Sequence, residues 1–325
     1  MSKTKIVFIT NLPKHLAEVI ATYTPEGFET TIINEGIDSE DTHKIIEDTE
    51  FIIGYGIALP DSLIKSAKNL KLIQLLSAGY DRMNFELLAE LNISCANNGG
   101  ANSWAVADHA VLLMLALYKK LTLSDKGVRE GNWRGVVDGF NTYEMANKKV
   151  GIFGIGNIGK KVAKRVQGFD CIVQYHDKYR LSEKEEESLN LYYVELEELF
   201  KTSDIISLHT PLTNETKGII NTQQLSLMKS SAILINTSRG PVVNEPDLIK
   251  ALQNNTIAGA GLDVMNTEPI EKDNPLLELD NTIVTPHSAG TTWDTWFRRA
   301  EFAYNNIKSV HEGNAPQGVA KSYEN

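Results

Sequence analysis

Cysteine is scarce in this chain of 325 residues. Cys95 and Cys171 are the only two, far apart and without a CxxC partner. That excludes a disulfide framework and a cysteine-ligated zinc site, fits a reducing compartment, and leaves no metal expected. Basic charge is short as well: 32 Lys and Arg stand against 42 Asp and Glu, a formal net charge of −10. A nucleic-acid groove needs a concentrated basic face, and anionic lipid attracts polybasic segments, so neither partner is expected. Long apolar runs are missing. The longest, 110–118, falls far short of the roughly 20 residues of a membrane span, and Ile6-Val7-Phe8-Ile9 is too short for a signal-peptide core. Low-complexity tracts and internal repeats are absent too, which leaves an expected soluble, cytoplasmic protein.

What is present is ordinary globular material, 42% hydrophobic and 23% charged. That length suits two domains, each able to bury a core. Short β-branched runs alternate with helical stretches, which predicts an α/β protein with parallel sheets. Strands are expected at 5–10, 30–34, 51–54, 72–75 and 93–95, with amphipathic stretches at 63–69 and 85–91 between them. Asn97-Asn98-Gly99-Gly100 is a turn-favouring run and a crossing between domains. Ser103 is the expected N-cap of a helix over 104–120, apolar nearly all round and therefore buried. A second series of strands follows at 149–153, 171–175, 205–208, 232–236, 259–264 and 282–285, enough for a complete dinucleotide-type sheet. A last helix over 292–309 leaves too little chain for a third domain. The expected organisation is two Rossmann- or flavodoxin-like domains, one made of 1–100 and 291–325 and interrupted by the other at 101–290.

The sharpest local motif is Gly154-Ile155-Gly156-Asn157-Ile158-Gly159, between a predicted strand and a predicted helix. Its first glycine permits the tight turn and its second lets the backbone approach a pyrophosphate. The third lets helix and strand pack closely, with the phosphate at the positive helix terminus. Asp177 ends the next strand, where a carboxylate accepts hydrogen bonds from the ribose hydroxyls and repels a 2′-phosphate. NAD is the expected cofactor, although Lys178 and Arg180 follow Asp177 closely and are compatible with a phosphate. Structural glycines, or another adenosine cofactor such as S-adenosylmethionine, are the alternatives that the pattern alone leaves open.

Arg239, Glu268 and His287 follow successive strands of the second series, at the strand ends where open α/β sheets place ligands. Singly, each has a dull explanation: a surface ion pair, a loop carboxylate, a packed histidine. Together they point to catalysis.

With Val106-Ala107-Asp108-His109, His209-Thr210-Pro211-Leu212-Thr213, Asn236-Thr237-Ser238-Arg239-Gly240, Leu262-Asp263-Val264, Glu268-Pro269 and Thr285-Pro286-His287-Ser288-Ala289-Gly290, the chain resembles the D-isomer-specific 2-hydroxyacid dehydrogenases over nearly its whole length. The resemblance implies a split substrate domain around an NAD-binding Rossmann domain, usually a homodimer, that interconverts a small D-2-hydroxy acid and its 2-oxo acid. It implies that Arg239 holds the substrate carboxylate, that His287 is the acid/base at the carbonyl oxygen, and that Glu268 is its partner. Ser77, Ala78 and Gly79 fall where the family offers backbone N–H groups to that carboxylate. Asp263 falls beside the nicotinamide carboxamide. His209, Pro211, Thr216, Thr237, Ser238, His287 and Gly290 complete the implied cofactor lining, with Asn157 and Ile158 of the glycine turn. Domain closure is expected about 97–101 and 286–293.

Ser77-Ala78-Gly79-Tyr80 and Asn244-Glu245-Pro246 depart from the common pattern; the first bears on the pocket, the second on a helix start. Trp293, Trp296 and Tyr55 are expected in packing or a dimer contact before an aromatic wall. Phosphite and formate dehydrogenases share the scaffold, although Glu268 rather than glutamine disfavours formate. A non-catalytic NAD-sensing protein is the alternative from another class.

Overall fold

The structure, a computed structural model, describes residues 3–134 and 139–321. The chain divides into two compact units, Met1–Asn102 with Thr291–Asn325, and Ser103–Gly290.

The first unit runs β1 (Thr4–Thr10), α1 (Lys14–Ala21), β2 (Phe28–Ile33), α2 (Glu40–Ile46), β3 (Phe51–Tyr55), α3 (Asp61–Ser66), β4 (Leu72–Leu75), α4 (Phe85–Glu90) and β5 (Ser94–Ala96). Its sheet has the order β2-β1-β3-β4-β5, parallel throughout. That is the doubly wound order with a switch point between β1 and β3. Strands such as β4 are buried at every position, because helices cover both faces and no alternation is needed.

The second unit begins with α5 (Ser103–Tyr118) and α6 (Leu121–Arg129). It continues β6 (Lys149–Phe153), α7 (Asn157–Gln167), β7 (Ile172–His176), α8 (Glu183–Leu189), β8 (Tyr192–Tyr193), α9 (Leu196–Thr202), β9 (Ile205–Leu208), α10 (Thr222–Leu227), β10 (Ile233–Asn236), α11 (Glu245–Gln253), β11 (Gly259–Leu262) and β12 (Thr282–Val284). The sheet order is β12-β11-β10-β9-β6-β7-β8, again parallel. Chain α12 (Trp293–His311) then returns to the first unit. Its Trp296, Ala300, Ala303, Tyr304 and Ile307 are buried against Ile6, Phe8, Phe51 and Leu72.

Two expectations need correcting. The long apolar helix does not run to 120: it stops at Tyr118, and Lys120 takes a positive φ of 49° before α6 starts. Ser103 is its first helical residue, not a cap ahead of it. The helix is nonetheless buried on most sides, packing on α7 and on β10 and β11. It can lie that close because Gly261 has no side chain: a Cβ there would sit 3.0 Å from Leu113. Asn244 caps α11 by accepting from the Asp247 N–H at 3.2 Å, so the unusual 244–246 run does serve a helix start.

Candidate active site

The order of the larger sheet reverses between β6 and β9, and at such a point the loops leaving two neighbouring strands diverge around a crevice. Gly154 ends β6 there with φ +98°, and a Cβ on it would meet the backbone of His209, which follows β9, at 2.7 Å. Gly159 is buried, and its Cβ would fall 2.2 Å from the Gly154 carbonyl oxygen. Any side chain at either position would push the turn off the sheet. A Cβ on Gly156 would meet nothing within 4 Å, so that side of the backbone is open to close approach. Gly156 caps α7, with Asn157 and Ile158 its first residues. The helix stays in place through Val162, Ala163 and Val166, spaced for one face and buried. Asp177, one residue past β7, is tied to this turn: its Oδ2 accepts from the Ile155 N–H at 2.7 Å and its Oδ1 from the Tyr179 N–H at 2.9 Å.

Beyond β9, the His209 Nε2 lies 2.8 Å from the Ser207 hydroxyl and its Nδ1 3.5 Å from that of Thr237. Burial pushes this imidazole down to about 3, so it is neutral. Pro211 is exposed, and its carbonyl accepts from the Thr216 hydroxyl at 2.6 Å. After β10, Thr237 and Ser238 are buried, and Asn236 Oδ1 accepts from both the N–H and the hydroxyl of Ser238. The Arg239 guanidinium donates to the Ser238 carbonyl at 2.7 Å.

His287 Nδ1 and Glu268 Oε2 are 2.7 Å apart, and Glu268 Oε1 accepts from the Met265 N–H at 3.0 Å. Burial alone would raise the Glu268 carboxyl. The His287 and Met265 hydrogen bonds outweigh it, joined by the charges of His287 and Arg239, and hold the carboxyl below its usual range. His287 itself stands in the left-handed region at φ +51°, unusual for a residue with a side chain and maintained only where the surroundings over-determine it. Here its N–H donates to the Asp263 carbonyl at 2.8 Å.

The Asp263 carboxylate, 1% exposed, is surrounded by donors on the same loop. Oδ1 accepts from the Thr285 hydroxyl at 2.6 Å and the Ser288 N–H at 2.9 Å, and Oδ2 from the Ala289 N–H at 2.9 Å. Such a set makes a buried carboxylate tolerable, and in return it fastens the loop that carries His287 and Gly290. His109 Nε2 lies 2.9 Å from the same Thr285 hydroxyl. Sequence reasoning gave His109 and Thr285 no role; their only signal was membership of the quoted motifs.

Gly240 fixes the neighbouring turn. A Cβ on it would fall 1.9 Å from the Met265 carbonyl oxygen, a backbone atom that cannot rotate away. Gly240→Ala is expected to destabilise the fold by about 1–3 kcal/mol in urea melts. It should also cut turnover, since Met265 anchors Glu268.

Ser77, Ala78 and Gly79 belong to the other unit, after β4. The carbonyls of 76–79 are all engaged. Those of Leu76 and Ser77 accept from the Asn98 side chain and N–H at 3.3 and 3.0 Å. Those of Ala78 and Gly79 accept from the Asn97 side chain at 3.0 Å and the Ser77 hydroxyl at 2.7 Å. The sequence marks Asn97 and Asn98 as a turn-prone crossing between domains, without these bonds to the 76–79 loop. Trp296 is buried with its ring 5.0 Å from that of Tyr55, whereas Trp293 is 61% exposed.

A profile of the D-isomer specific 2-hydroxyacid dehydrogenase NAD binding domain matches residues 111–289. The chain belongs to this family. A glyoxylate reductase of Korarchaeum cryptofilum is 38% identical over 259 residues, 79% of this chain and 78% of that one. A hydroxypyruvate reductase of Blautia hydrogenotrophica is 33% identical over 87% of this chain and 89% of its own. Among solved structures, a glyoxylate reductase from Paecilomyes thermophila superposes with a TM-score of 0.84 at 25% identity, covering 98% of this chain and 99% of that one. As a 2-hydroxyacid dehydrogenase, the protein is an NAD-dependent oxidoreductase. The residues present fit that cofactor: the glycine cradle is one that a Cβ would fill, and the Asp177 carboxylate stands beside it. Among the described residues no cluster suits a metal ion, and no helix is long and apolar enough to cross a membrane.

Proposed function

We propose that the protein reduces a small 2-oxo acid, of the size of glyoxylate or hydroxypyruvate, to the D-2-hydroxy acid, with His287 and Glu268 as the acid–base pair. The 2.7 Å contact between His287 Nδ1 and Glu268 carries this reading, because it leaves Nε2 as the ring atom available to substrate. The names of the relatives support the substrate class. When bound, NADH supplies the hydride. Arg239 holds the substrate carboxylate with a planar fork suited to that anion. His287 donates a proton from Nε2 to the carbonyl oxygen as negative charge develops there. Glu268 orients the ring through that contact. In the first unit, Ser77, Ala78 and Gly79 are the residues that offer backbone N–H groups to a carboxylate. Gly154, Gly156, Gly159 and Asp177 receive the pyrophosphate and adenosine ribose, and the 209–216 and 237–238 loops line the cofactor. Asp263 positions the His287 loop.

A screen of NADH oxidation with glyoxylate, hydroxypyruvate, pyruvate, phenylpyruvate and branched 2-oxo acids tests the proposal, run beside NADH production from phosphite and formate. Turnover with the smallest 2-oxo acids and none with phosphite or formate is expected. Background rates across the panel, with tight NADH binding, would instead identify a sensor. The same reading includes a cytoplasmic homodimer; Leu112, 51% exposed on the apolar helix, and Leu121, 54% exposed just after it, support the dimer, which sedimentation at micromolar concentration tests.

A further inference from the structure

Just past Asp177 the chain carries two cations where a nucleotide 2′-phosphate would bind, and both are already engaged. The Lys178 ammonium donates to both oxygens of Glu215 at 2.8 Å. The Arg180 guanidinium makes a two-pronged pair with Glu186, Nε and Nη2 each 2.9 Å from one carboxylate oxygen. A third cation nearby, Lys160 on α7, donates to Glu185 at 3.2 Å.

The Arg180 pair is held from several sides. Glu186 Oε1 also accepts from the Tyr175 hydroxyl at 2.6 Å, and the same hydroxyl accepts from the Leu181 N–H at 3.0 Å. Ser182 and Glu185 form a capping box that fixes the first turn of α8, where Glu186 sits. The guanidinium also lies 4.8 Å over the ring of Tyr193 on β8, beside Tyr175 in the sheet. Glu186 is only 12% exposed, and the Arg180 and Tyr175 hydrogen bonds bring its carboxyl down to about 2, so it stays charged at any physiological pH. Glu215 is presented by a turn in which its N–H donates to the Thr213 hydroxyl at 3.2 Å.

A 2′-phosphate is bound by basic groups that turn toward it. We propose that Glu186 and Glu215 are cofactor-specificity residues: each holds a cation that would otherwise receive the 2′-phosphate, so NADP(H) is rejected by occupied cations as well as by the Asp177 carboxylate. Discrimination then has an attractive arm and a repulsive one. The basic residues beside Asp177 cease to argue for dual cofactor use, because recruiting either one means breaking a carboxylate pair. The proposal rests on Asp177 marking the ribose end of the cofactor site.

Isothermal titration calorimetry of NADH and NADPH with wild type, Asp177→Ala, Asp177→Ala/Glu186→Gln and Asp177→Ala/Glu215→Gln tests it without any turnover. Asp177→Ala should weaken NADH about tenfold and improve NADPH little, since the cations remain paired. Adding Glu186→Gln should tighten NADPH about tenfold further, and adding Arg180→Ala to that variant should remove the gain. Glu215→Gln should give a smaller gain, its pair being largely exposed. It also supplies a second arm should loss of the Tyr175 contact unfold the Glu186 variant. NADPH affinity in both double variants within about twofold of Asp177→Ala alone would overturn the proposal. NADH affinity unchanged in Asp177→Ala would overturn instead the reading of Asp177 beneath it.

Discussion

Replacing His287 with Asn should lower kcat for reduction of the 2-oxo acid by about 10²–10⁴-fold, the range a general acid contributes. NADH affinity should change far less. Asparagine is the informative choice because of the backbone. His287 holds φ +51°, a region that Asn tolerates and that most other replacements enter only with strain. The variant therefore keeps the loop built on Asp263 and removes the titratable ring. Stopped-flow measurement of a single turnover, with NADH binding followed separately by fluorescence, separates the two effects. A kcat within about threefold of wild type would remove His287 from the chemistry.

The second expected result concerns pH. Glu268→Gln keeps the shape at 2.7 Å from His287 Nδ1 but removes the carboxylate charge. The ring then lacks its charged partner for proton transfer, and activity at neutral pH should fall by about 10-fold or more. The folded protein holds the Glu268 carboxyl below its ordinary value of 4.5. Its ionised form thus contributes stability that is complete above that value and lost as pH falls through the lower folded one. The melting difference between wild type and Glu268→Gln should accordingly shrink only on the acid side of 4.5. A melting difference independent of pH, with unchanged activity at neutral pH, would leave Glu268 no part in either.

Much of this molecule was legible in its sequence because parallel strands buried on both faces announce themselves as unbroken β-branched runs. The strands at 72–75, 149–153 and 205–208 were read with their observed bounds. Strand β8 was missed since it is two tyrosines long, one of them exposed, and carries no period to detect. Helix α6 was missed because only one left-handed residue, Lys120, separates it from the apolar helix before it. The site divides similarly. Glycines, Asp177, Arg239, Glu268 and His287 each follow a strand, where residue type carries the message. The bonds that support them join residues distant along the chain, such as Thr285 to Asp263 or Asn97 to Ala78, and no local pattern encodes such pairs. Lys178 and Arg180 show the limit most clearly. Their charge was visible in the sequence, whereas their engagement by Glu215 and Glu186 was not.

The return of α12 to the first unit also sets an order of assembly during synthesis. Strands β1 to β5 are complete once residue 102 has been made, but Trp296, Ala303, Tyr304 and Ile307, which cover one face of that sheet, come roughly 190 residues later. At about 5–20 residues per second, the part of that face which α1 does not cover waits on the order of 10–40 s for α12. The inserted unit, whose strands and helices are contiguous, can close its own core first. The nascent N-terminal sheet is therefore the part of this chain most in need of a chaperone.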